Sequence, residues 1–150
     1  MGIIGPSQRR TRRASSVEVD QLYEVLKMKA ETAYTGAPLH QIFMFSILTC
    51  MRIGEVCRIL WDDVDETQRS VLVRDRKDPR KKAGNHMLVP LLGDAWRILK
   101  MQSKTDPRVF PFNPKTITAM YRRVRKELGI EDLRYHDLRR EGASRLFEAG

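Results

Sequence analysis

Arg134-Tyr135-His136-Asp137-Leu138-Arg139-Arg140-Glu141-Gly142-Ala143-Ser144-Arg145-Leu146-Phe147-Glu148 is the stretch around which the rest of the chain is organised. His136 and Arg139 stand three residues apart. On a helix that spacing puts both on one face, one turn from each other. Leu138, Gly142 and Leu146 fall on a neighbouring stripe that can point inward. An imidazole beside a guanidinium, in the electropositive first turn of a helix, is a good seat for a phosphate. A merely basic surface helix would have the same local pattern. The decision between them comes from a second element upstream.

That element begins at the break Thr49-Cys50-Met51. Before it, residues 39–49 are almost wholly apolar and read as a buried helix, with Ile42, Phe43, Phe45 and Ile47 prominent. After it, a third helix should begin near Arg52, with Ile53, Val56, Cys57 and Leu60 inward and Arg52, Glu55 and Arg58 on other faces. Trp61-Asp62-Asp63-Val64-Asp65 ends it and leads toward a short strand.

Around these two elements the chain punctuates itself. Ser15-Ser16-Val17-Glu18 has capping-box spacing, and Val19, Leu22 and Leu26 recur at helical intervals, so a first helix should run to about Lys29. Residues 70–74 and 87–91 read as strands, with Pro90 at an edge or strand end. Between them lies a long, strongly basic hairpin loop holding Arg76, Lys77, Arg80, Lys81 and Lys82. Asp94 should cap a helix through Trp96, Ile98 and Leu99. Asn113-Pro114 places a cap before a proline at the first helical position, and Gly129 stops that helix. One of its stripes is apolar (Ile117, Met120, Val124, Leu128). The other face carries Arg122, Arg123, Arg125 and Lys126. The expected fold is α+β and mainly helical, with a small antiparallel sheet near residues 62–92.

Composition narrows the partners. Lys and Arg number 28 against 19 acids, for a net charge of +9 in 150 residues. Such an excess favours a polyanion, nucleic acid first and an acidic membrane surface second. No apolar run reaches the length of a membrane span and no signal-peptide core follows the N-terminus. Pro6 stands where a myristoylation signal needs Ser or Thr. Cys50 and Cys57 lie in an apolar stretch without further Cys or His to complete a ligand set, and read as reduced core residues. No metal and no cofactor is expected, and an intracellular protein follows. Residues 1–14, with Arg9, Arg10, Arg12 and Arg13 and no acid, read as a basic arm or the stub of a linker.

Leu48-Thr49-Cys50-Met51-Arg52-Ile53-Gly54-Glu55-Val56, followed by Leu60-Trp61-Asp62-Asp63-Val64, resembles the first signature of the tyrosine recombinases, the phage-type integrases. His136-Asp137-Leu138-Arg139 resembles their second, and Val89-Pro90-Leu91 after a basic hairpin resembles the element between. The likeness covers roughly residues 15–150, as a catalytic domain following the arm. It implies a catalytic-domain-like helical bundle and site-specific recombination or integration, by DNA cleavage and rejoining through a 3′-phosphotyrosine. Duplex DNA is the implied partner, relatives act as homo-oligomers on it, and the setting is the cytoplasm of a bacterium, as a bacterial or phage-encoded, nucleoid-associated protein.

The match carries roles to particular positions. Arg52 and Arg139 would stabilise charge building on the phosphoryl oxygens, for which planar, permanently charged forks are suited. His136 would hydrogen-bond the phosphate and help move the nucleophile's proton. Glu55 would hold basic neighbours in place. A hairpin lysine would protonate the leaving 5′-oxygen. Its position at the strand end favours Lys77, and counting back from Val89 favours Lys82. Arg76, Arg80, Lys81, Lys82, Arg122, Arg123 and Lys126 would neutralise DNA phosphates.

Two departures stand out. Cys50 occupies a position where the family usually has Gly. The family also continues past the second signature to its nucleophilic Tyr, whereas Tyr23, Tyr34, Tyr121 and Tyr135 all precede His136. Tyr135 reads as a packing residue. The chain is therefore expected to be a catalytic-domain fragment, inactive alone. The alternative is a non-catalytic DNA-binding module derived from the same fold. No clustered-carboxylate nuclease motif, P-loop or nucleophile elbow competes.

Overall fold

In a computed structural model of the chain, the structure describes residues 12–32, 36–74 and 86–138. Helix α1 (Ser16–Thr32) is opened as its sequence demands. Glu18 N–H donates to Ser15 Oγ at 3.1 Å, and Glu18 Oε1 accepts from Ser15 N–H at 2.9 Å. This reciprocal pair satisfies two orphan donors of the first turn. Val19, Leu22 and Leu26 form its buried stripe.

Helix α2 (Leu39–Thr49) packs between α1 and α4 (Asp94–Lys100). A helix enclosed this way needs apolar residues on most of its circumference. Ile42, Phe43, Phe45 and Ile47 are all fully buried. Removing each such side chain from water is worth about 1.5–3 kcal/mol, so α2 is the spine of the core. Phe45 lies against Phe110 with ring centroids 5.1 Å apart.

Helix α3 (Ile53–Val56) is a single turn, shorter than the apolar positions through Leu60 imply. A tight turn at Cys57 and Arg58 follows, and Leu60 then pairs as an isolated bridge with Arg108. A 3-10 turn (Trp61–Asp63) leads into the sheet: β1 (Val64–Asp65), β2 (Ser70–Val73) and β3 (Met87–Pro90), antiparallel in the order β1-β2-β3. Val71 pairs with Val64 on one side and Val89 on the other. Pro90 sits at the end of edge strand β3, where its missing N–H costs no ladder bond.

The helix after the sheet starts at Asp94 itself, with Gly93 (φ 49°) as the flanking residue, so Asp94 acts from within the first turn. In α5 (Pro114–Glu127) the predicted start is met: Asn113 Oδ1 accepts the Lys115 N–H at 2.9 Å, and Pro114 opens the helix. Gly129, at φ 70°, follows its end. The α5 stripe of Ile117, Tyr121 and Val124 closes the core. The fold is thus mainly helical with one small antiparallel sheet. It takes in the last residues of the basic N-terminal stretch, since Ala14 packs in the core and Arg12 forks onto Glu18 at 2.8 and 3.1 Å. No helix among the described residues is long and apolar enough to cross a membrane.

Candidate active site

Two short turns, far apart in the chain, build the site. The first grows out of α2. Thr49 ends that helix and donates its hydroxyl to the Phe45 carbonyl at 2.8 Å. Cys50 then adopts the left-handed conformation, φ 58° and ψ 21°. An L-residue pays about 1–2 kcal/mol there, which is why glycine suits this position. The reversal buries Met51 and presents Arg52 in an extended conformation ahead of α3.

Glu55 fixes Arg52 from behind. Its Oε1 accepts the Arg52 N–H at 2.9 Å, and its Oε2 lies 3.7 Å from Arg52 Nη1. The Glu55 side chain is buried while the Arg52 side chain remains 44% exposed. The arrangement holds the root of Arg52 firmly and leaves its fork available to a ligand.

The second turn repeats the device. Arg134 is extended, a 3-10 turn (Tyr135–Asp137) follows, and Asp137 Oδ2 accepts the Arg134 N–H at 3.0 Å. Asp137 is buried, as Glu55 is. In both places an acid three residues after an extended arginine caps the turn it opens. The sequence carries the same spacing at Asp137, whose capping role only the structure shows. His136 sits exposed at the centre of this turn, flanked by inward-facing neighbours. Leu138 is buried, and the Tyr135 hydroxyl lies 2.8 Å from Ser46 Oγ on α2.

Arg52 and His136 thereby line one cavity of about 290 Å³, together with Met51, Ile53, Tyr135 and Leu138. Its walls are largely apolar, which strengthens any charge interaction made inside it. Arg139, Lys77, Lys82, Arg76, Arg80 and Lys81 lie outside the described residues. Arg122, Arg123 and Lys126 are exposed on α5.

The described tyrosines are occupied elsewhere. Tyr121 donates its hydroxyl to the Leu133 carbonyl at 2.8 Å. Burial pushes both the Tyr121 and Tyr135 hydroxyls well above the ordinary phenol range. Tyr23 packs edge-on against His40. Burial also pushes the Cys57 thiol up to about 11, so that side chain is a core filler.

Asp63 ties the turn that precedes β1 to the end of β2. Its carboxylate accepts two bonds of 2.8 Å from Arg74, one to Nε and one to Nη2, at the point where β2 ends. Asp63 belongs to the first signature, but its pairing with Arg74 is not legible in the sequence.

A mainly helical domain in which an arginine turn and a histidine turn meet at one cavity fits the tyrosine-recombinase class. The family profile of the phage integrases matches residues 12–150, and the chain belongs to that family. It is 31% identical over 145 residues to the shufflon-specific DNA recombinase of Escherichia coli, covering 96% of this chain and 35% of that protein. It is 28% identical over 132 residues to the integrase of Salmonella phage P22, covering 75% of this chain and 33% of that one. The chain thus spans about a third of the length of these curated relatives. Among solved structures, the lambda integrase catalytic core superposes with a TM-score of 0.67 at 20% identity, over 91% of this chain and 83% of that one. The XerA recombinase superposes with a TM-score of 0.61 at 22% identity, over 97% and 54%. At these identities the superpositions speak for the fold.

Proposed function

We propose that this protein acts in site-specific DNA recombination, cutting and rejoining duplex strands through a 3′-phosphotyrosine. The observation that carries the reading is the meeting of Arg52 and His136 at one cavity, with Glu55 buried behind Arg52. Family membership supports it, as do relatives whose names specify recombinase and integrase.

In this reading a backbone phosphate of the DNA occupies the cavity. Arg52 and Arg139 meet the two non-bridging oxygens, where negative charge builds in the transition state. His136 donates to the same phosphate and handles the proton of the attacking hydroxyl. Lys77 or Lys82 delivers a proton to the departing 5′-oxygen. The nucleophile is a tyrosine other than Tyr121 and Tyr135, whose hydroxyls are hydrogen-bonded inward. The bond from phosphorus to the 5′-oxygen breaks as the tyrosyl ester forms, and the reverse attack by a 5′-hydroxyl rejoins the strand. Arg76, Arg80, Lys81, Lys82, Arg122, Arg123 and Lys126 hold neighbouring phosphates. The protein acts as a homo-oligomer on DNA, as do the lambda integrase dimer and tetramer in their solved complexes. It works in the bacterial cytoplasm, at the nucleoid.

The test is a titration of this chain against a fluorescent duplex at several salt concentrations. The expected affinity is modest and falls steeply with salt, because phosphate contacts release counterions. Arg52→Gln and His136→Gln should each weaken binding. An affinity that ignores salt, or is untouched by both substitutions, would refute the reading.

A further inference from the structure

A second cavity of about 290 Å³ adjoins the first, and Thr118 and Tyr135 line both. Arg122 and Arg125 from α5 and Arg134 from the histidine turn line this one. In the sequence Arg122 belongs to the basic face of α5, and Arg134 stands outside it. The fold brings them around one hollow.

The polar groups that could serve another ligand are already committed. Tyr121 donates to the Leu133 carbonyl and Tyr135 meets Ser46. Thr118 Oγ1 donates within its own helix, to the Pro114 and Lys115 carbonyls. Arg125 is half-buried and spends one N–H on the Ile130 carbonyl at 2.9 Å, which fixes its plane. Each guanidinium has five N–H donors, so Arg125 keeps most of its set. Among the described residues no carboxylate forms an ion pair with Arg122 or Arg134. The one acid lining the cavity, Asp132, also lies in the field of Arg12. A hollow whose remaining groups are guanidinium donors, with three positive charges against one negative, requires an anion rich in acceptors. Three forks around a compact ligand match the tetrahedral oxygens of a phosphate.

We propose that Arg122, Arg125 and Arg134 form a second phosphate seat, which holds a backbone phosphate next to the one bound by Arg52 and His136. The shared wall at Tyr135 sets the two seats side by side, so one DNA strand can run over both. This rests on the DNA-binding reading above. The seat fixes the register of the strand and carries no base readout.

The experiment is the same duplex titration with Arg134→Gln, Arg122→Gln and the double variant. Lys27→Gln, a charge removed from the exposed face of α1, is the control. Wild type and Lys27→Gln should share one salt dependence. Each arginine variant should lower the slope of log affinity against log salt by about 1 and the double variant by about 2, equally for duplexes of unrelated sequence. Circular dichroism of each variant verifies that it is folded. Arg134→Lys, which keeps the charge and loses the fork, should retain the slope but bind more weakly than wild type. Competition by inorganic phosphate at millimolar level, with no change of slope in the variants, would mean a free-anion site and overturn the proposal. Variants that match Lys27→Gln would also overturn it and remove Arg122 from the phosphate contacts, while salt-dependent binding by wild type would still support the DNA-binding reading at Arg52 and His136. Absence of binding by wild type would instead refute that reading.

Discussion

Removing the Glu55 carboxylate is the sharpest test of how the arginine turn is held. In Glu55→Ala, the Arg52 N–H loses its 2.9 Å acceptor, and the guanidinium loses a partner at 3.7 Å. A hydrogen bond to a charged acceptor is worth about 1.5–3 kcal/mol. The ion pair adds less than about 1 kcal/mol, because the arginine end is in water. The lost packing of the buried methylene adds about 0.8 kcal/mol. The desolvation already paid by the buried carboxylate is recovered and offsets part of this sum. A net loss of about 2–3 kcal/mol is expected. Glu55→Gln keeps an acceptor for the Arg52 N–H and loses only the charge, so it should cost about 1 kcal/mol. A domain of this size loses about 2–4 °C in Tm per kcal/mol, which puts the two variants several degrees apart. The assay is thermal unfolding followed by far-ultraviolet circular dichroism at pH 7. Equal losses in the two variants would show that charge rather than the backbone hydrogen bond holds the turn. A loss below about 0.5 kcal/mol for Glu55→Ala, the ordinary scatter of surface substitutions, would show that Arg52 is held by something else.

Tyr121→Phe should cost more than Tyr135→Phe in urea unfolding. The first strands the buried Leu133 carbonyl, at about 1–3 kcal/mol, whereas Ser46 still donates to the Ile42 carbonyl after the second; the reverse order would contradict these assignments. Incubating the chain with a nicked duplex should yield no covalent adduct at Tyr121 or Tyr135, and an adduct mapped to either by denaturing electrophoresis and mass spectrometry would refute the inward placement of their hydroxyls. Burial lowers the His40 pKa below its usual value, with Lys27 adding to the shift. Folding therefore favours the neutral ring: stability is fully present above the unfolded pKa near 6.5 and is lost as pH falls through the folded value. The urea midpoint should drop between pH 7.5 and 5, and the His40→Gln variant should drop less; an identical drop would place the effect elsewhere. At pH 7 iodoacetamide should label half-exposed Cys50 before buried Cys57, whose thiol burial raises to about 11, and preferential labelling of Cys57 would contradict this.

Features set by local chemistry could be read along the chain. The capping box at Ser15, the cap and proline at Asn113 and Pro114, and the apolar circumference of α2 each act within a turn or two of backbone, and each is found where its residues stand. The two signature stretches also announced their family, because each compresses a turn, an arginine or histidine and a buried acid into a few residues. Tertiary structure decided the remainder. Helix α3 stops after one turn, since Leu60 is drawn off to bridge Arg108, a partner remote in the chain. Cys50 tolerates a left-handed backbone because α2 and the arginine turn on either side are anchored in the core. Asp63 meets Arg74 only once the sheet has formed, and Tyr135 finds Ser46 only across α2. Arg52 and His136 face a common cavity for the same reason. Periodicity and capping are short-range and can be read along a chain, but the meeting of distant side chains is fixed only when packing places the elements that carry them.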